Sequence, residues 1–143
     1  MVITKIACGA RFSAMTVSTM GGWDQPQGKR DELWVFGEQA CEYQAQEKIN
    51  VIPLPQGGLK DLRCSNDQVV ALMSSGQVFG FDRRSGFSTK ALTFFTDKVV
   101  EIASATSIFA ALDYKNKIYR WNESQTMTAE ANAQVEVIEP KSQ

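Results

Sequence analysis

One unit is spelled three times along this chain, and a chain that repeats itself at this length is confined to a stack of like supersecondary units. Each copy opens with an aliphatic pair and then a small residue: Ile3 and Ile6 before Cys8, Leu59 and Leu62 before Cys64, Val99 and Ile102 before Ser104. The copies lie 56 and then 40 residues apart. Repeat architectures mostly present surfaces to other molecules, so the pattern speaks first of architecture and only indirectly of function.

Aligned on the small residue, the copies also agree in their later segments. A short apolar run comes next in each, Ala14-Met15-Thr16, Val70-Ala71-Leu72 and Ala110-Ala111-Leu112, which predicts a buried strand. Turns come after it in the second and third copies, Ser74-Ser75-Gly76-Gln77 and Tyr114-Lys115-Asn116-Lys117. Gly76 and Asn116 share one position, suited to a hairpin that needs a positive φ. The next strands are Leu33-Trp34-Val35-Phe36, Val78-Phe79-Gly80-Phe81 and Ile118-Tyr119-Arg120-Trp121. Phe36, Phe81 and Trp121 fall in one register and Trp34, Phe79 and Tyr119 in another, which predicts aromatic core between neighbouring units.

A fourth segment closes each copy: Ile49-Asn50-Val51-Ile52-Pro53, Ala91-Leu92-Thr93-Phe94-Phe95 and Val135-Glu136-Val137-Ile138-Glu139. Four short strands per copy make a propeller blade. The expected fold is all-β: a β-propeller-like array of about three four-stranded blades, an incomplete and open propeller. Residues 1–143 read as a single domain with approximate repeats 2–55, 58–96 and 98–140. The polar stretches 38–48 and 123–134 read as loops, because sustained 3.6-residue periodicity is missing from the chain.

Bulk composition removes several function classes. Among 143 residues, 15 are Lys or Arg and 16 are Asp or Glu, so a net charge of −1 gives no field to recruit nucleic acid or an anionic membrane. The chain has no histidine, which takes away the usual general base, the usual partner of a serine or cysteine nucleophile and the commonest transition-metal ligand. Asp and Glu are scattered singly and pick out no acid and base pair. Cys8, Cys41 and Cys64 lack the short spacing of a zinc or redox motif, and three cysteines cannot all pair within one chain. A reducing, intracellular compartment such as the cytoplasm or nucleus is the expectation, with an organelle left open. The N-terminal apolar runs are broken by Arg11, Ser13 and Thr16, which fits neither a secretory signal nor a spanning helix. Gly22 and Gly28-Lys29-Arg30 imitate a phosphate loop, but five residues separate the glycines where the motif has four, and Arg30 stands where Ser or Thr would bind magnesium. No catalytic residue, cofactor or metal site is therefore assigned, and the chain is expected not to be an enzyme.

On these residues the chain resembles the regulator of chromosome condensation repeat family, whose usual form is a seven-bladed β-propeller. The resemblance rests on Ile6-Ala7-Cys8-Gly9, on Val70-Ala71-Leu72 followed by Gly76-Gln77-Val78-Phe79-Gly80-Phe81, and on Ile102-Ala103-Ser104 followed by Ala111-Leu112 and Ile118-Tyr119-Arg120-Trp121. It spans Ile3 to Pro140. The family commonly places a histidine four residues after the cysteine, where Phe12, Gln68 and Ile108 stand here. The resemblance implies that Cys8 and Cys64, which share a position with Ser104, are small buried core residues. It also implies an alternative function, guanine-nucleotide exchange or regulation directed at a small GTPase.

Closed propellers need at least about four blades, and about three are offered. An arc of blades leaves two open apolar flanks and unpaired strand edges. The expected function is therefore a non-enzymatic structural or interaction subunit that docks on partner proteins or on copies of itself, by strand addition and flank burial. In this reading the terminal segments, Val2 to Ala7 and Val135 to Glu139, complete blades with strands from elsewhere. No small-molecule substrate, nucleic acid or membrane partner is expected. The first copy also carries an insertion of about eleven residues, over 19–31. Its Trp23, Gln25, Lys29 and Arg30 are the candidate partner-binding residues, since exposed loops carry recognition and Trp and Arg are favoured anchors.

Overall fold

The structure is a computed structural model that describes residues 2–19, 30–37, 49–55, 57–124 and 136–138. Those residues form three antiparallel four-stranded sheets. Blade one contains β1 (Val2–Cys8), β2 (Phe12–Thr19), β3 (Arg30–Gly37) and β4 (Asn50–Pro53). Blade two contains β5 (Leu59–Cys64), β6 (Gln68–Met73), β7 (Val78–Asp82) and β8 (Thr89–Ala91). Blade three contains β9 (Val99–Ser104), β10 (Ile108–Asp113), β11 (Ile118–Asn122) and β12 (Glu136–Ile138). Each sheet is a meander in chain order, consistent with an open β-propeller of about three blades.

The spacing of the aliphatic pair has a structural cause. Along a strand successive side chains alternate between faces, so residues three apart normally point in opposite directions. Here the first strand of every blade carries a bulge at one place. Pairing jumps between Ile3 and Lys5 in β1, between Leu59 and Asp61 in β5, and from Val99 to Glu101 in β9. The extra residue brings both members of the pair to the same face.

Turn chemistry is as the sequence predicts at two positions. Gly76 has φ 91 and Asn116 φ 66, both in the left-handed region. A Cβ on Gly76 would stand 2.7 Å from the Cβ of Lys98, so the position is closed sterically as well as conformationally. The Asn116 turn is tied by buried Asp113, whose Oδ1 accepts the amides of Lys115 at 2.9 Å and Lys117 at 2.8 Å.

The core lies between the blades. One cluster joins Phe12, Ala14, Leu33, Val35 and Leu54 of blade one to Leu62, Cys64, Val69, Ala71, Phe81 and Phe87 of blade two. Another joins Val70, Leu72, Val78 and Leu92 to Val99, Ile102, Phe109, Ala111, Tyr119 and Trp121 of blade three. Strand β6 contributes to both clusters, and all six of its residues are buried.

A polar clip ties blades two and three. The side-chain amide of buried Gln68 donates to Asp82 Oδ2 and to the Glu123 carbonyl, each at 2.6 Å, while Glu123 Oε1 accepts the Asp67 amide at 3.1 Å.

Several expectations change on the structure. The fourth strand of blade two is Thr89–Ala91, earlier than the predicted run 91–95, because Phe79, Gly80 and Phe81 pair with Ala91, Lys90 and Thr89. Freed from the ladder, Phe94 and Phe95 turn inward and meet Trp121 edge-on at 5.1 and 5.6 Å. The terminal segments complete their own sheets: β1 pairs with β2 and β12 with β11, so neither awaits a strand from elsewhere. Cys8 is exposed rather than buried, whereas Cys64, at the same repeat position, is buried. The difference is one of neighbours, since Cys64 faces blade one and Cys8 faces outward from it.

Candidate functional site

The predicted partner-binding loop is described only at its roots. Strands β2 and β3 extend into the insertion, pairing Ser18 with Asp31 and Thr19 with Arg30, which is the first residue of β3. Trp23, Gln25 and Lys29 lie outside the described residues, as does the phosphate-loop lookalike around Gly22 and Gly28. The described part anchors the hairpin firmly: buried Asp31 accepts the Leu59 amide of blade two at 3.0 Å, and its carbonyl accepts the Leu54 amide at 2.9 Å.

Cross-strand partners share a face, so the two outer sheet faces can be read off the ladders. On blade one the outward row is Ile6, Met15, Trp34 and Val51, flanked by Cys8, Ser13 and Phe36 on one side and Ile3 on the other. Ile6 is 77% exposed, Ile3 58% and Val51 46%. Trp34 and Phe36 lie with ring centroids 6.5 Å apart, and Trp34 Nε1 has no hydrogen-bond partner among the described residues. The aromatic registers read from the sequence are thus correct, but in the first copy Trp34 and Phe36 lie half-buried on the outward face, with Trp34 Nε1 itself out of solvent, rather than in a joint between described blades.

On blade three the outward side chains are Ala103, Ala110 and Arg120 in one row and Glu101, Leu112, Ile118 and Ile138 in the next. Ile118 is 39% and Ile138 44% exposed. Ile118 lines a shallow, mainly apolar depression of about 220 Å³ together with Glu101, Ala103, Ala110 and Leu112.

The repeat assigns each outer face a type. Leu62 of blade two and Ile102 of blade three occupy the position of Ile6, and they are 3% and 2% exposed because the preceding blade covers them. Leu33 of blade one and Val78 of blade two occupy the position of Ile118, and they are buried against the following blade. Blade one therefore shows the inserting face with nothing before it, and blade three shows the receiving face with nothing after it, among the described residues.

Backbone geometry repeats along the same axis. The Ala10 amide donates to the Asn66 carbonyl at 3.1 Å, and the Asn66 amide donates to the Thr106 carbonyl at 2.8 Å. These three residues occupy equivalent places in the turns after β1, β5 and β9.

Titration chemistry is sparse. Burial, and secondarily the neighbouring Cys8, push the Cys64 thiol up to about 12, the reverse of an activated nucleophile. Among the described residues no cluster of three Cys, Asp or Glu side chains is arranged to hold a metal. No helix among them is long and apolar enough to cross a membrane.

No family model matches the chain, and no curated protein matches it. Solved structures do. Human WBSCR16 superposes with a TM-score of 0.61 at 12% identity, over 96% of this chain and 54% of that one. HIRA(644-1017) gives 0.57 at 9% identity, over 88% and 36%. Yeast RCC1 (Prp20), in its crystal structure bound to Kap60, gives 0.53 at 12% identity, over 87% and 44%. The chain thus spans about half or less of the length of these structures, and at such identities the likeness is one of fold. The described strands, their order and these neighbours agree on one conclusion: the chain folds as about three four-stranded blades of an open β-propeller, similar in fold to human WBSCR16 and yeast RCC1.

Proposed function

We propose that this chain is a non-enzymatic interaction subunit, an incomplete propeller that docks on protein by burying its two outer blade faces. One observation carries the reading: a single repeat position is 3% and 2% exposed at Leu62 and Ile102 but 77% exposed at Ile6. A side chain suited to a joint is left bare where the described blades begin. Fully burying an aliphatic side chain of this size contributes about 1.5–3 kcal/mol. Ile3, Ile6 and Val51 on one face and Ile118 and Ile138 on the other offer several such increments to a partner. Docking rests on these faces, and the terminal strands are paired within their own sheets rather than with strands from elsewhere. The insertion loop, with Trp23, Gln25, Lys29 and Arg30, supplies a second contact at the end of blade one. Yeast RCC1 bound to Kap60 is a precedent for a propeller of this fold engaging a protein. Free thiols at Cys8 and Cys64 suit a reducing, intracellular setting.

The test is the mass of the native particle that contains the chain, compared between the unaltered protein and its Ile6→Glu and Ile118→Glu variants. The unaltered chain is expected in a particle heavier than its own 15.9 kDa, with each variant released from it. A monodisperse monomer whose Ile6 and Val51 resist hydroxyl-radical labelling would defeat the proposal.

A further inference from the structure

We infer that the occupant of each outer face is the opposite outer face of a second copy, so that two chains close head to tail into a six-bladed ring. This rests on the docking reading above and commits it to one partner. Such a contact continues the joints already inside the chain. At the first joint Leu33 shares a cluster with Leu62, and at the second Val78 shares a cluster with Ile102. By repeat position the next pair in the series is Ile118 and Ile6, which one chain holds at opposite ends and two chains bring together. Ala110 and Leu112 stand where Val70 and Leu72 receive blade three, and Met15 and Trp34 stand where Ala111 and Tyr119 insert. The face of blade three is accordingly shaped to receive a blade, and the face of blade one is shaped to enter one.

The backbone ladder makes the same prediction at atomic detail. Ala10 donates to Asn66 and Asn66 to Thr106, so the next bond in the series runs from the Thr106 amide to the Ala10 carbonyl of the second copy. Ring arithmetic then sets how many copies of these three blades close a ring. Propellers close at about four to eight blades, and six is the multiple of three in that range. A heterologous contact of this kind forms a closed ring when its rotation returns to the start and a filament when it does not. Six blades turn by about 60° from one to the next and seven by about 51°, and both lie within the range that propellers adopt.

The test is sedimentation of the 143-residue chain from nanomolar to high micromolar concentration, alone and as two variants, Ile6→Glu and Ile118→Glu. Both side chains are exposed in the single chain, so neither change disturbs its core. The unaltered chain is expected to reach about twice 15.9 kDa and no further. Each variant alone has an unpaired charge in both joints and is expected to dimerise at least about a hundredfold more weakly. Mixed together they are expected to recover a dimer, because the blade-three face of Ile6→Glu and the blade-one face of Ile118→Glu form one intact joint. A dimer lost in only one variant and kept in the other is a like-to-like contact and overturns the head-to-tail ring. Growth beyond two copies overturns the six-bladed closure.

An unaltered chain that stays monomeric overturns the second copy as occupant. Alkylation of Cys8 in a Cys41→Ser background then separates the failure of the ring from the failure of docking as such. In that monomer, freely reacting Cys8 leaves docking on another protein standing, while protected Cys8 shows the face already covered and removes both. In the ring, Cys8 takes the place that Cys64 holds in the first joint, so its alkylation is expected to slow as the dimer forms.

Discussion

Replacing Ile6 and Leu62 by alanine, one at a time, measures directly whether one repeat position has two environments. Each change removes three carbons, worth about 2.4 kcal/mol when the side chain is fully buried at about 0.8 kcal/mol per methylene. Leu62 is 3% exposed inside the joint between blades one and two. Its loss therefore carries nearly the whole transfer contribution and a cavity contribution besides, about 3–4 kcal/mol in total. Ile6 is 77% exposed, so about a quarter of the transfer contribution applies and the expected loss is about 0.5 kcal/mol. The assay is urea unfolding followed by tryptophan fluorescence, at a dilution where sedimentation reports a single chain. With a slope of about 2 kcal/mol/M, the Leu62→Ala midpoint should fall more than about 1 M below that of Ile6→Ala. Equal losses in the two variants would show that Ile6 is packed in the single chain, and the description of blade one's outer face as open would be wrong.

Other perturbations test the same geometry. Because the folded Cys64 thiol is held protonated up to about 12 against an ordinary 9.0, its contribution to stability is complete below pH 9.0 and is lost as pH rises towards 12. Unfolding free energy should fall by about 1.4 kcal/mol per pH unit across that window, and Cys64→Ala should show a shallower decline when urea midpoints are compared. Parallel declines would reject the assignment. Gly76→Ala combines a φ of 91 with a 2.7 Å approach to Lys98, so a loss of about 1–3 kcal/mol in thermal or urea unfolding is expected. Gln68→Leu removes the donor that Asp82 and the Glu123 carbonyl share, and should cost about 1–3 kcal/mol by the same assay. Trp23→Ala and Arg30→Ala should weaken capture of a bound partner by more than about tenfold while leaving the urea midpoint unchanged; unchanged capture would remove the insertion loop from the interface.

What the sequence discloses and what it hides divides along a physical line. Local features are legible. Gly76 and Asn116 announce their turns because few residues tolerate a positive φ, and Val70-Ala71-Leu72 announces a strand buried on both faces because it is apolar without alternation. The aromatic registers are also legible, since Phe81 and Trp121 fall at one place in the alignment and both are buried. Features set by neighbours are not. Cys8 and Cys64 read alike, but among the described residues a preceding blade covers Cys64 and none covers Cys8, so one is buried and the other exposed. The bulges leave their trace as an aliphatic pair spaced by three, yet that spacing reads as a bulge only once the ladders are seen. Phe94 and Phe95 look like strand residues, but the ladder ends at Ala91 and they serve as rings packed on Trp121. Of the candidate site, the open flanks are legible in the count of repeats, while Trp23, Gln25 and Lys29 of the loop lie outside the described residues. Which side chains those flanks present depends on register.

Blade two differs from its neighbours in having a sheet covered on both sides, and this bears on how the chain breathes. Every residue of β6 is buried, and its two faces belong to different clusters. In an array where each unit leans only on the next, opening proceeds from the outer units inward. The amides of Gln68–Met73 should therefore exchange with solvent more slowly than any others, by global unfolding alone, while β1 and β12 exchange through local fraying. Association at the outer faces would flatten that gradient, so the spread of exchange rates along the chain becomes a gauge of how much of the molecule is holding on to something else.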